Sequence, residues 1–154
     1  MRRKDGPTAL LLSRQNVAFA KRTTLAGIER GGYILSDAPE ARAIIIATGS
    51  EVPVALGAQK LLADGGLPVR VVSMPSTSLF DRQDADYRNS VLPRELPKIA
   101  VEAGVTDYWR KYVGLEGKVV GIDRFGESAP AGELFKHFGF TPERVAEAVR
   151  SIFG

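Results

Sequence analysis

Arg14 directly follows the apolar run Thr8-Ala-Leu-Leu-Leu-Ser13, in the context Leu12-Ser-Arg-Gln-Asn16. The run reads as a strand buried on both faces of a parallel sheet. Arg14 then projects from the carboxyl end of that strand, the rim where such sheets place ligand groups. A guanidinium fork there suits a phosphate or a carboxylate, and Ser13, Gln15 and Asn16 add neutral hydrogen-bonding groups. On the residues alone a solvated surface arginine is the favoured reading.

Five other groupings could do chemistry. Thr48-Gly-Ser-Glu51 lies between a strand and a helix, where open α/β sheets bind ligands. It lacks the glycine spacing of a dinucleotide or P-loop motif, and Thr48 and Glu51 have capping-box spacing, so helix capping is the expected role. Asp81, Asp84 and Asp86, with Asp123 and Glu127, match no calcium or magnesium loop and are expected to be solvated or capping. His137, the single histidine, falls near the end of a helix, where a cation gains from the helix dipole. Tyr108, Trp109 and Tyr112, beside Arg110 and Lys111, could stack on a base; packing is the favoured reading, with an exposed apolar remainder that predicts self-association. In Phe125-Gly-Glu-Ser-Ala-Pro130, Ser128 is suited to cap the helix that follows.

Composition narrows the classes. Zero cysteines remove disulfide frameworks, thiol nucleophiles and most zinc sites, and one histidine removes multi-histidine metal centres. Residues 1–30 hold seven basic and two acidic side chains. Residues 31–154 hold 14 basic against 16 acidic, a net of −2, so the body lacks a broad basic face for nucleic acid. No apolar stretch approaches the length that crosses a bilayer, and no basic segment leads into an apolar run at the start, which predicts a cytoplasmic protein without membrane contact.

The elements that must position these groups are short. Apolar runs at residues 33–35, 43–48, 68–73, 98–102 and 118–122 read as strands, the first two antiparallel because so short a turn joins them. Between and after them come an amphipathic helix stopped by Gly65-Gly66, a short helix capped by Asp84, aromatics at helical spacing over residues 106–112, a helix over 131–138 stopped by Gly139, and a last helix with Thr141 as N-cap and Pro142 at its first position. Residues 74–80 read as loop, and residues 17–32 as linker with a turn of helix. The expected fold is a three-layer α/β domain, a mostly parallel five-stranded sheet with one antiparallel edge strand. The expected division is a head over 1–31 and a domain over 32–154, with the strand at 8–13 lacking sheet partners.

Six motifs, in order and spacing, resemble bacterial transketolases: Gly6-Pro-Thr-Ala-Leu-Leu-Leu-Ser-Arg-Gln-Asn16, Arg30-Gly-Gly-Tyr33, Ile46-Ala-Thr-Gly-Ser-Glu-Val52, Val71-Val-Ser-Met-Pro-Ser-Thr77, Val101-Glu-Ala-Gly104 and Phe125-Gly-Glu-Ser-Ala-Pro130. The resemblance covers essentially the whole chain and implies the carboxyl-terminal portion of that longer enzyme, with its α/β domain preceded by the end of the pyrimidine-binding domain. It implies that Arg14 contacts the phosphate of a sugar-phosphate substrate. It also implies that thiamine diphosphate, a divalent metal (magnesium or calcium) and the catalytic groups belong to upstream parts of a homodimeric parent, so that the fragment holds no cofactor and is inactive alone. A small-ligand regulatory module, at residues 48–51 or 125–130, and a free-standing oligomerisation domain are the alternatives.

Overall fold

Ala43, Ile44, Ile45, Ile46 and Ala47 are all fully buried. Side chains of a strand alternate between faces, so this burial requires a layer of helix on either side. Both layers are present in the computed structural model, which describes residues 4, 6–18 and 26–154. A helical turn α1 (Ala26–Glu29) leads into β1 (Tyr33–Ser36). β2 (Ala43–Ala47) passes through a 3₁₀ turn, Gly49–Glu51, into α2 (Val52–Asp64) and β3 (Val69–Ser73). α3 (Thr77–Phe80) and α4 (Ala85–Val91) precede β4 (Lys98–Val101). A second 3₁₀ turn, Asp107–Trp109, continues as α5 (Arg110–Val113) before β5 (Lys118–Val120), and α6 (Ala131–Phe138) and α7 (Pro142–Arg150) follow.

The sheet order is β1-β3-β2-β4-β5, parallel except for β1, which pairs antiparallel with β3. The expected mixed sheet with one antiparallel edge strand is therefore what forms. β1 and β2 run in opposite directions but make no hairpin. The β2–α2–β3 crossover sets β3 against β2, and β1 takes the free edge of β3. The link between β1 and β2 is held by Arg70 of β3, whose Nε and Nη2 each donate to Asp37 at 2.9 Å while Nη1 donates to the Ser90 carbonyl at 2.8 Å.

Ile45 packs in the layer under α2 and α7, with Ala55, Ala58, Leu62, Val145 and Val149. Those two helices approach closely: a Cβ on Gly57 would sit 2.8 Å from Pro142 Cγ. On the other face Ile44, Ile46 and Val72 meet Phe80, Val91, Trp109 and Val113. Three of the start and stop signals act as expected. Asp84 accepts from the Tyr87 amide at 2.7 Å, Thr141 accepts from the Arg144 amide at 3.3 Å, and Gly139 ends α6 in the left-handed conformation. The helix α3 falls where loop was expected; Ser76 caps it, accepting from the Leu79 amide at 3.4 Å, and Phe80 anchors it in the core. Among the described residues no helix is long and apolar enough to cross a membrane.

Residues 8–13 form no ladder among the described residues, in keeping with an apolar run that lacks sheet partners in this chain. All five strands come from residues 33–120, and Leu10, Leu11 and Leu12 are 63%, 93% and 83% exposed. An apolar strand without partners among the described residues stays extended and wet. Packing of the body reaches back to Ala26, within the segment read as linker. The Gly31 carbonyl accepts from the Ser76 amide at 2.9 Å, and Arg30 lies 4.0 Å over the Tyr87 ring. Gly31 has a φ of +84°, and a Cβ there would collide with the Ser76 carbonyl oxygen, so only glycine fits this junction. Of the basic head, Arg2, Arg3, Lys21 and Arg22 lie outside the described residues, as do Asp5 and residues 19–25.

Candidate functional site

β2 feeds α2 and then β3 on one side, whereas β4 lies on the other side of β2. The reversal opens a crevice beyond the carboxyl ends of β2 and β4, the place where open α/β sheets bind ligands. Glu51, at the entry to α2, and Glu102, directly after β4, both lie there, and the Glu102 charge acts on Glu51. Glu51 is only 4% exposed and its Oε1 accepts from Ser50 Oγ at 3.1 Å. Glu102 Oε2 accepts the indole N–H of Trp109 at 2.6 Å. Burial pushes the Glu51 carboxyl above the ordinary range. Hydrogen bonds from Ser50 and the Glu51 and Ala103 backbone oppose that shift, and the Glu102 charge adds to it.

The sequence reading missed this pair. Glu51 is not a capping residue, since neither Thr48 nor Glu51 makes a side-chain cap bond. The available signal was a glutamate just beyond the end of each of two buried parallel strands, in Ile46-Ala-Thr-Gly-Ser-Glu51 and Val101-Glu102.

Replacing Glu51 with glutamine has a pH-dependent expected outcome. A raised folded-state value means the folded chain holds the proton more tightly than the unfolded chain, so Glu51 favours folding at acid pH and loses that contribution as the pH rises through its folded value. Glu51→Gln should therefore melt higher than the wild type at pH 7.5. If the relief is on the order of 1 kcal/mol, the gain is about 2–4 °C. It should shrink as the pH falls toward 4.5, the ordinary glutamate value. Melting curves from pH 4 to 8 check this, and a gain independent of pH would contradict it.

Arg14 is carried past the same crevice. Ser13 Oγ and Glu51 Oε2 each lie 3.9 Å from the position a Cβ would take on Gly49, so the segment before Arg14 runs over the mouth of the site. Residues 15–18 continue along the start of α2, lining with Ser50, Pro53 and Val54 a cleft of about 340 Å³ that α6 closes through Ala131, Gly132 and Phe135. Arg14 itself is exposed and has no ion pair among the described residues. It sits at the carboxyl edge of this sheet by being strapped there, not by ending one of its strands.

The other candidates are drawn into the fold. Asp81 is held by Lys111 Nζ at 2.6 Å and the Tyr112 hydroxyl at 3.0 Å. Asp123 accepts from the Thr106 amide at 2.9 Å and its hydroxyl at 2.8 Å, and these bonds hold the carboxyl below the usual range. Asp84 caps α4, Asp86 lies in its first turn, and Glu127 sits 3.2 Å from His137 Nε2. Among the described residues these carboxylates do not converge, and no three metal-ligating side chains do. Trp109 is buried and Tyr112 half-buried, so of the aromatic trio only Tyr108 is exposed, its hydroxyl 2.6 Å from Thr77 Oγ1. The expected exposed remainder is therefore Tyr108, with Val105 and Leu115 exposed nearby, and residues 10–12 form a second exposed apolar stretch. Ser128 does not cap α6, whose N-cap is Pro130, and Phe125 in the same loop is 97% exposed.

Comparison with known proteins agrees with this architecture. The family described as Transketolase-like TK C-terminal domain matches residues 31–141. Transketolase 1 of Escherichia coli is 56% identical over 154 residues, covering 97% of this chain and 23% of that enzyme. The transketolase structure from Leishmania mexicana superposes with a TM-score of 0.84 at 44% identity, covering 90% of this chain and 20% of that one. The Pichia stipitis transketolase solved with sedoheptulose-7-phosphate does so at 0.83 and 41%, with the same coverage. The chain spans about a quarter of the length of the curated relatives it matches. It belongs to the transketolase family, of which it carries the carboxyl-terminal domain.

Proposed function

We propose that this chain works as the carboxyl-terminal part of a transketolase that moves a two-carbon ketol unit from a ketose phosphate to an aldose phosphate. Thiamine diphosphate and magnesium or calcium would supply the carbanion chemistry from other parts of a homodimer. Among the described residues the carboxylates do not fit that cofactor's metal: Asp81, Asp84 and Asp123 are each engaged separately. The contribution of this chain is structural, with one substrate-binding group. Residues 32–154 form the domain, residues 26–31 dock the linker, and residues 8–13 supply a strand to the preceding pyrimidine-binding domain. The observation that carries the reading is the strap at residues 13–18, which delivers an unpaired Arg14 to the carboxyl edge of the sheet. Arg14 then binds the substrate phosphate. The sugar phosphate in the Pichia stipitis structure supports that ligand class.

Reconstitution tests it. Alone, with thiamine diphosphate, magnesium, a ketose phosphate and an aldose phosphate, the chain should show no turnover. Co-expressed with the part of Escherichia coli transketolase 1 that it does not match, it should co-purify and restore turnover. Turnover by the chain alone, or a soluble co-purified complex without activity, would overturn the proposal.

A further inference from the structure

The body of the protein carries a net negative charge, yet four of its 14 basic side chains line one cleft. Arg88 comes from α4, Arg94 from the loop after it, Lys98 from the first position of β4 and Lys111 from α5. The cleft holds about 400 Å³, and the carboxylate among its lining residues is Asp81. That carboxylate is already committed to Lys111 Nζ at 2.6 Å and the Tyr112 hydroxyl at 3.0 Å. Arg88 and Arg94 are exposed and have no ion pair among the described residues. Lys98 is 8% exposed; its ammonium donates to the Leu96 carbonyl at 2.7 Å and reaches the Arg94 carbonyl only at 3.5 Å. Burial holds that ammonium below the usual lysine range, against the pull of Glu95.

A lysine gripping two loop carbonyls explains one of these cations as a structural clamp. It does not explain why Arg88 and Arg94 converge on the same cleft without counter-charge. Like charges facing one partly desolvated cleft repel, and a multiply charged anion relieves that repulsion. Arginine forks match phosphate oxygens in pairs, and lysine adds a point charge. Phe80, Leu92 and Val113 also line the cleft, giving it the mixed apolar and polar character of a small-molecule site. Lys98 opens β4 and Glu102 follows its end, so the cleft and the Arg14 strap are separated by about one strand length, roughly 13 Å.

We propose that this cleft binds an organic phosphate bearing at least two negative charges, its phosphates between Arg88 and Arg94 and its organic part on Phe80, Leu92 and Val113. The site is distinct from the proposed substrate-phosphate contact at Arg14 and stands independently of it.

Calorimetric titration of the chain with adenosine diphosphate and with pyrophosphate, at ionic strength matched with sodium chloride, tests the assignment. Adenosine diphosphate should bind one-to-one and saturably, and more tightly than pyrophosphate because of the apolar floor. Arg88→Gln/Arg94→Gln should weaken it at least tenfold. Both arginines are exposed, so the double variant should fold as the wild type does, and its melting curve checks that. Arg14→Ala should leave binding unchanged, which separates this site from the substrate contact. Equal binding by the double variant and the wild type, or a response reproduced by sodium chloride alone, would overturn the site. Pyrophosphate binding as tightly as adenosine diphosphate would overturn the role of the apolar floor.

Discussion

Replacing Trp109 with phenylalanine should cost the chain about 2–4 kcal/mol of stability, a fall of roughly 5–15 °C in Tm for a domain of this size. Trp109 is 2% exposed and packs against Tyr112, with ring centroids 5.7 Å apart, in the layer that covers Ile44 and Ile46. Its indole N–H reaches Glu102 Oε2 at 2.6 Å. Phenylalanine keeps part of the packing but removes the donor, and a half-buried carboxylate then loses its partner, the costly form of a broken hydrogen bond. A double-mutant cycle with Glu102→Gln separates the two contributions. If the bond to the charged carboxylate dominates, the Trp109→Phe penalty shrinks in the Glu102→Gln background. If packing dominates, the penalties add. Additivity within experimental error would show that Glu102 is not held at the crevice by Trp109.

The strands were legible because parallel strands covered on both faces must be apolar along their whole length, and Ala-Ile-Ile-Ile-Ala has no other comfortable place. Helix ends were legible at Asp84, Gly139 and Thr141, where a local bond defines them, but not at Ser76, whose bond to the Leu79 amide starts a helix of only one turn. Neighbours in the sheet were not. Nothing local in residues 33–47 says that β3 will lie between β1 and β2, because that placement is decided by the crossover through α2. The crevice was hidden for a related reason. Glu51 and Glu102 are 51 residues apart and meet only because β2 and β4 become neighbours. Locally, Thr48-Gly-Ser-Glu51 looks like a capping box, and the 3₁₀ turn that turns Glu51 inward leaves no trace in spacing. Arg14 was found through an apolar run, but among the described residues no strand pairing sets its position.

In an assembled whole enzyme containing this chain, Arg14→Ala should raise KM for phosphorylated substrates by about tenfold to a hundredfold, the equivalent of the 1.5–3 kcal/mol typical of a hydrogen bond to a charged group. Arg14 is exposed and without an ion pair among the described residues, so its removal should leave Tm essentially unchanged, and that measurement separates a binding role from a structural one. In a ketose phosphate the phosphate is remote from the carbonyl carbon. Lost binding therefore falls mainly on KM, and any fall in kcat reports binding energy that had been used to position the sugar in the transition state. Arg14→Lys should recover only part of the affinity, because it restores the charge without the planar fork. Unphosphorylated acceptors should scarcely respond. The comparison is kcat/KM for matched phosphorylated and unphosphorylated acceptors in wild type and variant. An equal fall for both would mean that Arg14 orders the strap over Gly49 and the start of α2, rather than gripping the phosphate.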